Sequence, residues 1–182
     1  MSANAVDRLP EGAEWLYEIK WDGYRVEAIK HQESVQLLSR KAKDLTSDFS
    51  GVRQAVATIK ARTAIIDGEV VSLDQAGRPS FQNLQHRAAR KGPIVYYAFD
   101  LLHLNGEDLS ALPLSERKEK LKAILQGSKV LFSENIEGDL EVIIEQVRRL
   151  ELEGVIAKRR DSRYQPGRSD GWFKLQLKNK SS

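Results

Sequence analysis

The stretch "EIKWDGYR", residues 18–25, decides the reading of the chain: an apolar alternation ends on a lysine, and an Asp-Gly pair follows at once. A lysine at a strand end is ordinarily a solvated charge. The rest of the sequence determines whether Lys20 is that or a nucleophile. Asp22 reads as a residue that shapes the turn.

A chain of 182 residues with 41% hydrophobic content suits one domain with a substantial core. Cysteine is absent, which excludes a disulfide framework and a Cys-based zinc site, and the three histidines are scattered. The start "MSANAVDRLP" lacks the apolar core of a signal peptide, and no run of roughly 18 apolar residues occurs. A soluble, cytoplasmic protein with no membrane association is expected. The formal charge of +3 is too small to indicate nucleic acid, but the last third is locally basic, with Arg148, Arg149, "KRRDSRY" (158–164), Arg168, Lys174, Lys178 and Lys180.

"WLYEIKW", "SVQLLSR", "AIIDGEVVSL", "IVYYAFDLLHL", "KVLFS", "GVIAKR" and "WFKLQL" are rich in β-branched and aromatic residues and read as strands. Phe49, Val52, Val56 and Ile59 recur at helical spacing, as do Leu140, Ile143, Ile144, Val147 and Leu150. Ser115, after Pro113, offers an N-cap to a third helix running through Leu121, Ile124 and Leu125 and stopping near Gly127. The fold class is α+β, mainly antiparallel sheets flanked by helices, in a single domain within residues 1–182 that runs from about Leu9 to the end.

Acids stand beside apolar strands at three distant places: Asp67-Gly68-Glu69, Asp100 and Glu153-Gly154. Each alone is explained by turn chemistry. Taken with Lys20, Lys158 and Lys174 in matching positions, they describe a site for phosphate and a metal ion.

In chain order, "KWDGYR" (20–25), "SRK" (39–41), "DGEVV" (67–71), "YYAFDLL" (96–102), "EGVIAK" (153–158) and "WFKLQLK" (172–178) resemble the successive motifs of the covalent nucleotidyltransferases. Among these the chain is most similar to the adenylation domain of ATP-dependent DNA ligases of the bacterial ligase D type. The resemblance spans nearly the whole chain and implies the ATP-grasp-like nucleotidyltransferase fold. It implies that Lys20 attacks the α-phosphate of ATP to form lysyl-AMP, its neutral form favoured by desolvation and by the cations Lys158 and Lys174. It places Phe99 against the adenine, Arg25 and Glu69 near the ribose, Arg40 near sugar and phosphate, and Glu18 near the base edge through side chain or backbone. Ile19 and Ile156 complete the nucleotide site. Glu153, with Glu69, is the implied contact for Mg²⁺ or Mn²⁺.

The implied reaction passes AMP to the 5′-phosphate of nicked double-stranded DNA during repair, with end-joining partners and with contacts to the backbone from Lys and Arg. An RNA ligase, a capping-type enzyme using GTP, and a non-catalytic nucleic-acid-binding module remain open alternatives. Two departures stand out. Gln176 occupies a place where the family usually has a lysine, and Lys178 is positioned to compensate for the lost charge. The family continues into an oligonucleotide-binding (OB) domain, whereas only "NKSS" follows Lys178 here, so an isolated core that reacts slowly is expected.

Overall fold

The computed structural model describes residues 1–85 and 92–177, so Lys178 and Lys180 lie outside the described residues. Two sheets carry the fold. The first has the order β1 (Ser2–Ala5), β10 (Arg168–Gln176), β9 (Gly154–Arg159), β2 (Trp15–Lys20). Strand alternation sorts its residues by face. Leu16, Glu18 and Lys20 lie opposite Lys158, Ile156 and Gly154, which in turn face Trp172, Lys174 and Gln176. Gln176 is thus in line with Lys174, as its spacing of two predicts.

The opposite face carries Tyr17, Val155, Ala157, Phe173 and Leu175, packed against Leu140, Ile143 and Val147 of α4 (Leu140–Arg149). Asp139 caps that helix by accepting hydrogen bonds from the amides of Glu141 and Val142. The second sheet runs β4 (Ser34–Ser39), β3 (Tyr24–His31), β5 (Thr63–Ser72), β6 (Ile94–Leu104), β7 (Glu107–Asp108), with β8 (Leu131–Phe132) parallel to β6. Its outer face, with Val26, Ala28, Ile66, Ala98 and Leu101, is covered by α1 (Ser50–Ala57) and α3 (Leu114–Leu125). The short α2 (Phe81–Gln85) follows β5. A third cluster, Met1, Leu16, Phe99, Leu114 and Trp172, joins the two sheets. None of the described helices is long and apolar enough to cross a membrane.

Several expectations are corrected. Residues before Leu9 belong to the fold as well, because β1, from Ser2, adds in parallel to the edge of β10. Strand β3 escapes a propensity reading because its buried positions, Val26, Ala28 and Lys30, include a lysine and alternate with Arg25 and Glu27. Ser115 does not cap α3. That helix starts one residue earlier, after Pro113, and the Ser115 amide donates to the Arg160 carbonyl at 3.0 Å, so a neighbouring loop satisfies the helix end.

Asp67 and Asp100 are not in turns; they face each other in mid-strand across β5 and β6. Gly68 is there for close approach, not for a turn. A Cβ at that position would stand 2.5 Å from the Tyr97 carbonyl and 2.6 Å from the Tyr96 ring. Gly154 is constrained in the same way, with the Leu175 carbonyl 2.1 Å from where its Cβ would be.

Candidate active site

Between the two sheets lies a cleft of about 980 Å³, and every residue that the resemblance assigns to the nucleotide or the metal lines it. The first sheet contributes Glu18, Ile19, Lys20, Glu153, Ile156, Lys158 and Lys174. The second contributes Arg25, Glu69 and Phe99, and Arg40 stands exposed at the end of β4, donating to the Ser2 hydroxyl at 2.8 Å. Ile19 is the exception in orientation: its side chain packs with the α4 core on the reverse face, which leaves its backbone to the cleft.

Lys20 ends β2 with its ammonium in an ion pair with Glu153, both largely withdrawn from water. The charged partner of the nucleophile is therefore a carboxylate. Lys158, assigned from the sequence to promote deprotonation of Lys20, turns instead to Glu18, its Nζ 2.8 Å from Oε2. That Nζ also lies 4.4 Å from the Phe99 ring centre and 4.2 Å from that of Trp172. Burial lowers the Lys158 pKa, with Glu18 opposing. Burial acts the other way on Glu18, but the ammonium groups of Lys118 and Lys158 prevail and hold its carboxyl below the ordinary range.

On the facing sheet the Arg25 guanidinium forks onto Asp67, Nε to Oδ1 at 3.0 Å, and lies 5.3 Å from the Phe99 ring centre. Tyr164 donates its hydroxyl to Asp67 Oδ2 at 2.6 Å. Asp100 is occupied too, forked by Arg117 at 2.8 and 3.0 Å. Two of the acids that drew attention in the sequence thus neutralise buried guanidinium groups and do not open onto the cleft. Sequence reasoning also missed Arg117, Lys118, Tyr164 and the stack of Trp21 on Tyr97, whose ring centres are 3.7 Å apart.

The Glu69 carboxyl is pushed up to about 8 by burial, with Arg25 opposing and Asp67 adding to the rise. Unfolded, it would ionise near its ordinary 4.5. Between those values the folded chain keeps a proton that the unfolded chain has released. The stability Glu69 contributes is therefore complete below about 4.5 and is lost as the pH rises to about 8. Melting curves of the wild type and Glu69→Gln from pH 5 to 8 should diverge, the wild type losing ground as pH rises; parallel curves would remove Glu69 as the cause.

Glu69 and Glu153 face the cleft from opposite sheets, and the Glu153 charge contributes to raising Glu69. Glu153 Oε1 is buried and, among the described residues, accepts no aligned hydrogen bond, holding only its charge contact with Lys20. Among the described residues no group of three or more His, Asp or Glu is assembled to enclose a cation. Two carboxyl groups on facing walls of the cleft suit a hard divalent ion that takes its remaining ligands from phosphate and water.

Residues 2–176 match the family model of the ATP dependent DNA ligase domain. The multifunctional non-homologous end joining protein LigD of Mycolicibacterium smegmatis is 36% identical over 167 residues, covering 91% of this chain and 22% of the relative. Its namesake in Pseudomonas aeruginosa is 39% identical over 178 residues, 95% of this chain and 21% of that protein. This chain thus spans about a fifth of these relatives. Among solved structures, the ligase domain from M. tuberculosis LigD superposes with a TM-score of 0.83 at 35% identity, over 96% of this chain and 59% of that one. A mycobacterial DNA ligase D complexed with ATP and MES gives 0.82 at 33% identity, over 96% and 60%.

Proposed function

Because this chain belongs to the ATP-dependent DNA ligase domain family and has its nucleotidyltransferase fold, we propose that it charges Lys20 with AMP from ATP and passes that AMP to the 5′-phosphate of nicked double-stranded DNA. The observation that carries this is the placement of Lys20: a withdrawn amine in contact with a carboxylate, on the same cleft wall as Lys158 and Lys174.

Attack requires the free amine, and Glu153 Oε1 is the base in contact to take the proton. The Lys20 nitrogen bonds to the α-phosphorus, the bridging P–O bond breaks, and pyrophosphate leaves with the electron pair. In the second step a 5′-phosphate oxygen attacks the same phosphorus, the N–P bond breaks, and Lys20 recovers its proton. The 3′-hydroxyl then displaces AMP. Lys158 and Lys174 offset the phosphate charge, and the Phe99 ring, packed on Trp172, supports the base.

Glu18 has its carboxylate committed to two lysines, so base recognition falls to the backbone. Strand β2 is a sheet edge where the Tyr17 carbonyl accepts from the Ile136 amide; by alternation the main-chain groups of Ile19 point to that edge. Glu69 and Glu153 would hold Mg²⁺ or Mn²⁺, which would supply Lewis-acid polarisation of the phosphates. An additional domain closing the open side, a bacterial cytosolic setting and partners in end joining complete the proposal.

Intact-mass analysis after incubation with ATP or GTP and Mg²⁺, followed by nicked DNA or RNA, tests it. ATP should add one AMP, GTP nothing, and nicked DNA should discharge it. Charging by GTP, or discharge only onto RNA, would favour a capping-type enzyme or an RNA ligase. Absence of any covalent nucleotide would favour a binding module.

A further inference from the structure

Lys118, on the inner face of α3, does not line the cleft. Its side chain is 3% exposed, and its ammonium ion-pairs with Glu18 Oε1 and donates to the Ser133 carbonyl at 2.9 Å. Glu18 Oε2, on its other side, takes Lys158 Nζ at 2.8 Å and the Ser133 hydroxyl at 3.3 Å. Ser133 in turn accepts from Trp21 Nε1 at 3.0 Å. A single buried carboxylate therefore serves two ammonium groups, of which only Lys158 reaches the cleft. One positive charge in this trio is left over.

We propose that Lys118 is a positioning residue for adenylation, neutralising Glu18 from behind so that the Lys158 ammonium keeps an uncancelled charge for the nucleotide phosphates. This rests on the ATP-dependent reading above. In a buried setting, a carboxylate with one cation forms a closed neutral pair, and that cation has little left to offer a third group. A second cation on the far oxygen opens the pair. The contact of Glu18 with the Ser133–Trp21 bridge extends the same network to the residue after Lys20, so the phosphate-binding amine and the nucleophile segment share one scaffold.

The test measures the rate of AMP mass gain against ATP concentration in the 182-residue chain, separating the half-saturating concentration from the limiting rate. Lys118→Met should raise the half-saturating concentration about tenfold, the scale of one charge-assisted hydrogen bond, and change the limiting rate less. Lys118→Arg should stay near wild type. The double variant Glu18→Gln/Lys118→Met should return toward wild type, because removing the carboxylate frees Lys158 again. It also carries the test if Lys118→Met alone does not fold.

A wild-type half-saturating concentration in folded Lys118→Met would overturn the proposal. So would a concentration that stays raised in the double variant, which would mean that Lys118 only supports packing. A wild-type chain that gained no AMP at all would instead refute the reading of function.

Discussion

Lys20→Ala is expected to abolish the gain of one AMP mass on incubation with ATP and Mg²⁺, with no residual labelling at long times. The loss should be complete because the reaction forms an N–P bond, and Lys20 is the lysine in contact with Glu153, the carboxylate proposed to take its proton. Lys158 is engaged by Glu18 at 2.8 Å, and Lys118 is outside the cleft. Nucleotide binding should persist, since Phe99, Lys158 and the Ile19 backbone are untouched. The variant also removes the charge partner of Glu153, whose buried carboxylate then bears its desolvation alone. A modest fall in melting temperature should accompany the loss, and Lys20→Arg, which retains the charge but is no nucleophile, should restore stability without restoring labelling. An AMP adduct on Lys20→Ala, located by peptide mapping, would overturn the assignment.

The largest effect on stability is expected at Arg117→Ala. This guanidinium is fully buried and makes four hydrogen bonds: Nε and Nη2 fork onto Asp100, while Nη1 donates to the Leu112 carbonyl at 2.6 Å and the Ser162 carbonyl at 2.8 Å. It ties β6, the entry to α3 and the segment after β9 at one point. Removing it strands a fully buried Asp100 and two carbonyls, a loss of about 3–5 kcal/mol, against a total that is commonly about 5–15 kcal/mol. Burial already raises the Asp100 pKa, with Arg117 opposing. Without Arg117 the carboxyl would hold its proton to higher pH in the folded state. The destabilisation should therefore be smaller at pH 5 than at pH 8, as read from urea midpoints. A loss below about 1 kcal/mol, or one independent of pH, would show that the pair contributes little beyond packing.

The strands that build the nucleophile wall were legible because alternation alone puts Glu18 and Lys20 on one face, and the apolar runs around Lys158 and Lys174 supply their neighbours. The second sheet was harder to read. Asp67-Gly68 has the chemistry of a turn, and only the Tyr96 ring pressed over Gly68 reveals a strand interior. Arg117 and Lys118 look like part of a solvated helical face in "LSERKEKL". One signal was available: with Leu114, Leu121, Ile124 and Leu125 they share the apolar stripe of α3, which marks them as buried charges in need of partners. The partners themselves, Asp100 and Glu18, could not be read, because the pairing of Lys118 with Glu18 spans 100 residues and no local pattern encodes it.

The sheet that carries Lys20 is assembled from the two ends of the described chain, β1 and β2 joining β9 and β10. This has a consequence for biosynthesis. Synthesis runs from the amino terminus, so Lys20 leaves the ribosome before its strand neighbours from Gly154 onward and before Lys158, which lies 140 residues after its partner Glu18. The second sheet, whose strands and covering helices lie between, can condense first, whereas closing the first sheet must overcome the entropy of a very long loop. Lys20 thus stays without Lys158 and Lys174 beside it until β9 and β10 have been made, and on the function proposed above a polypeptide cut short of them would not charge itself with AMP.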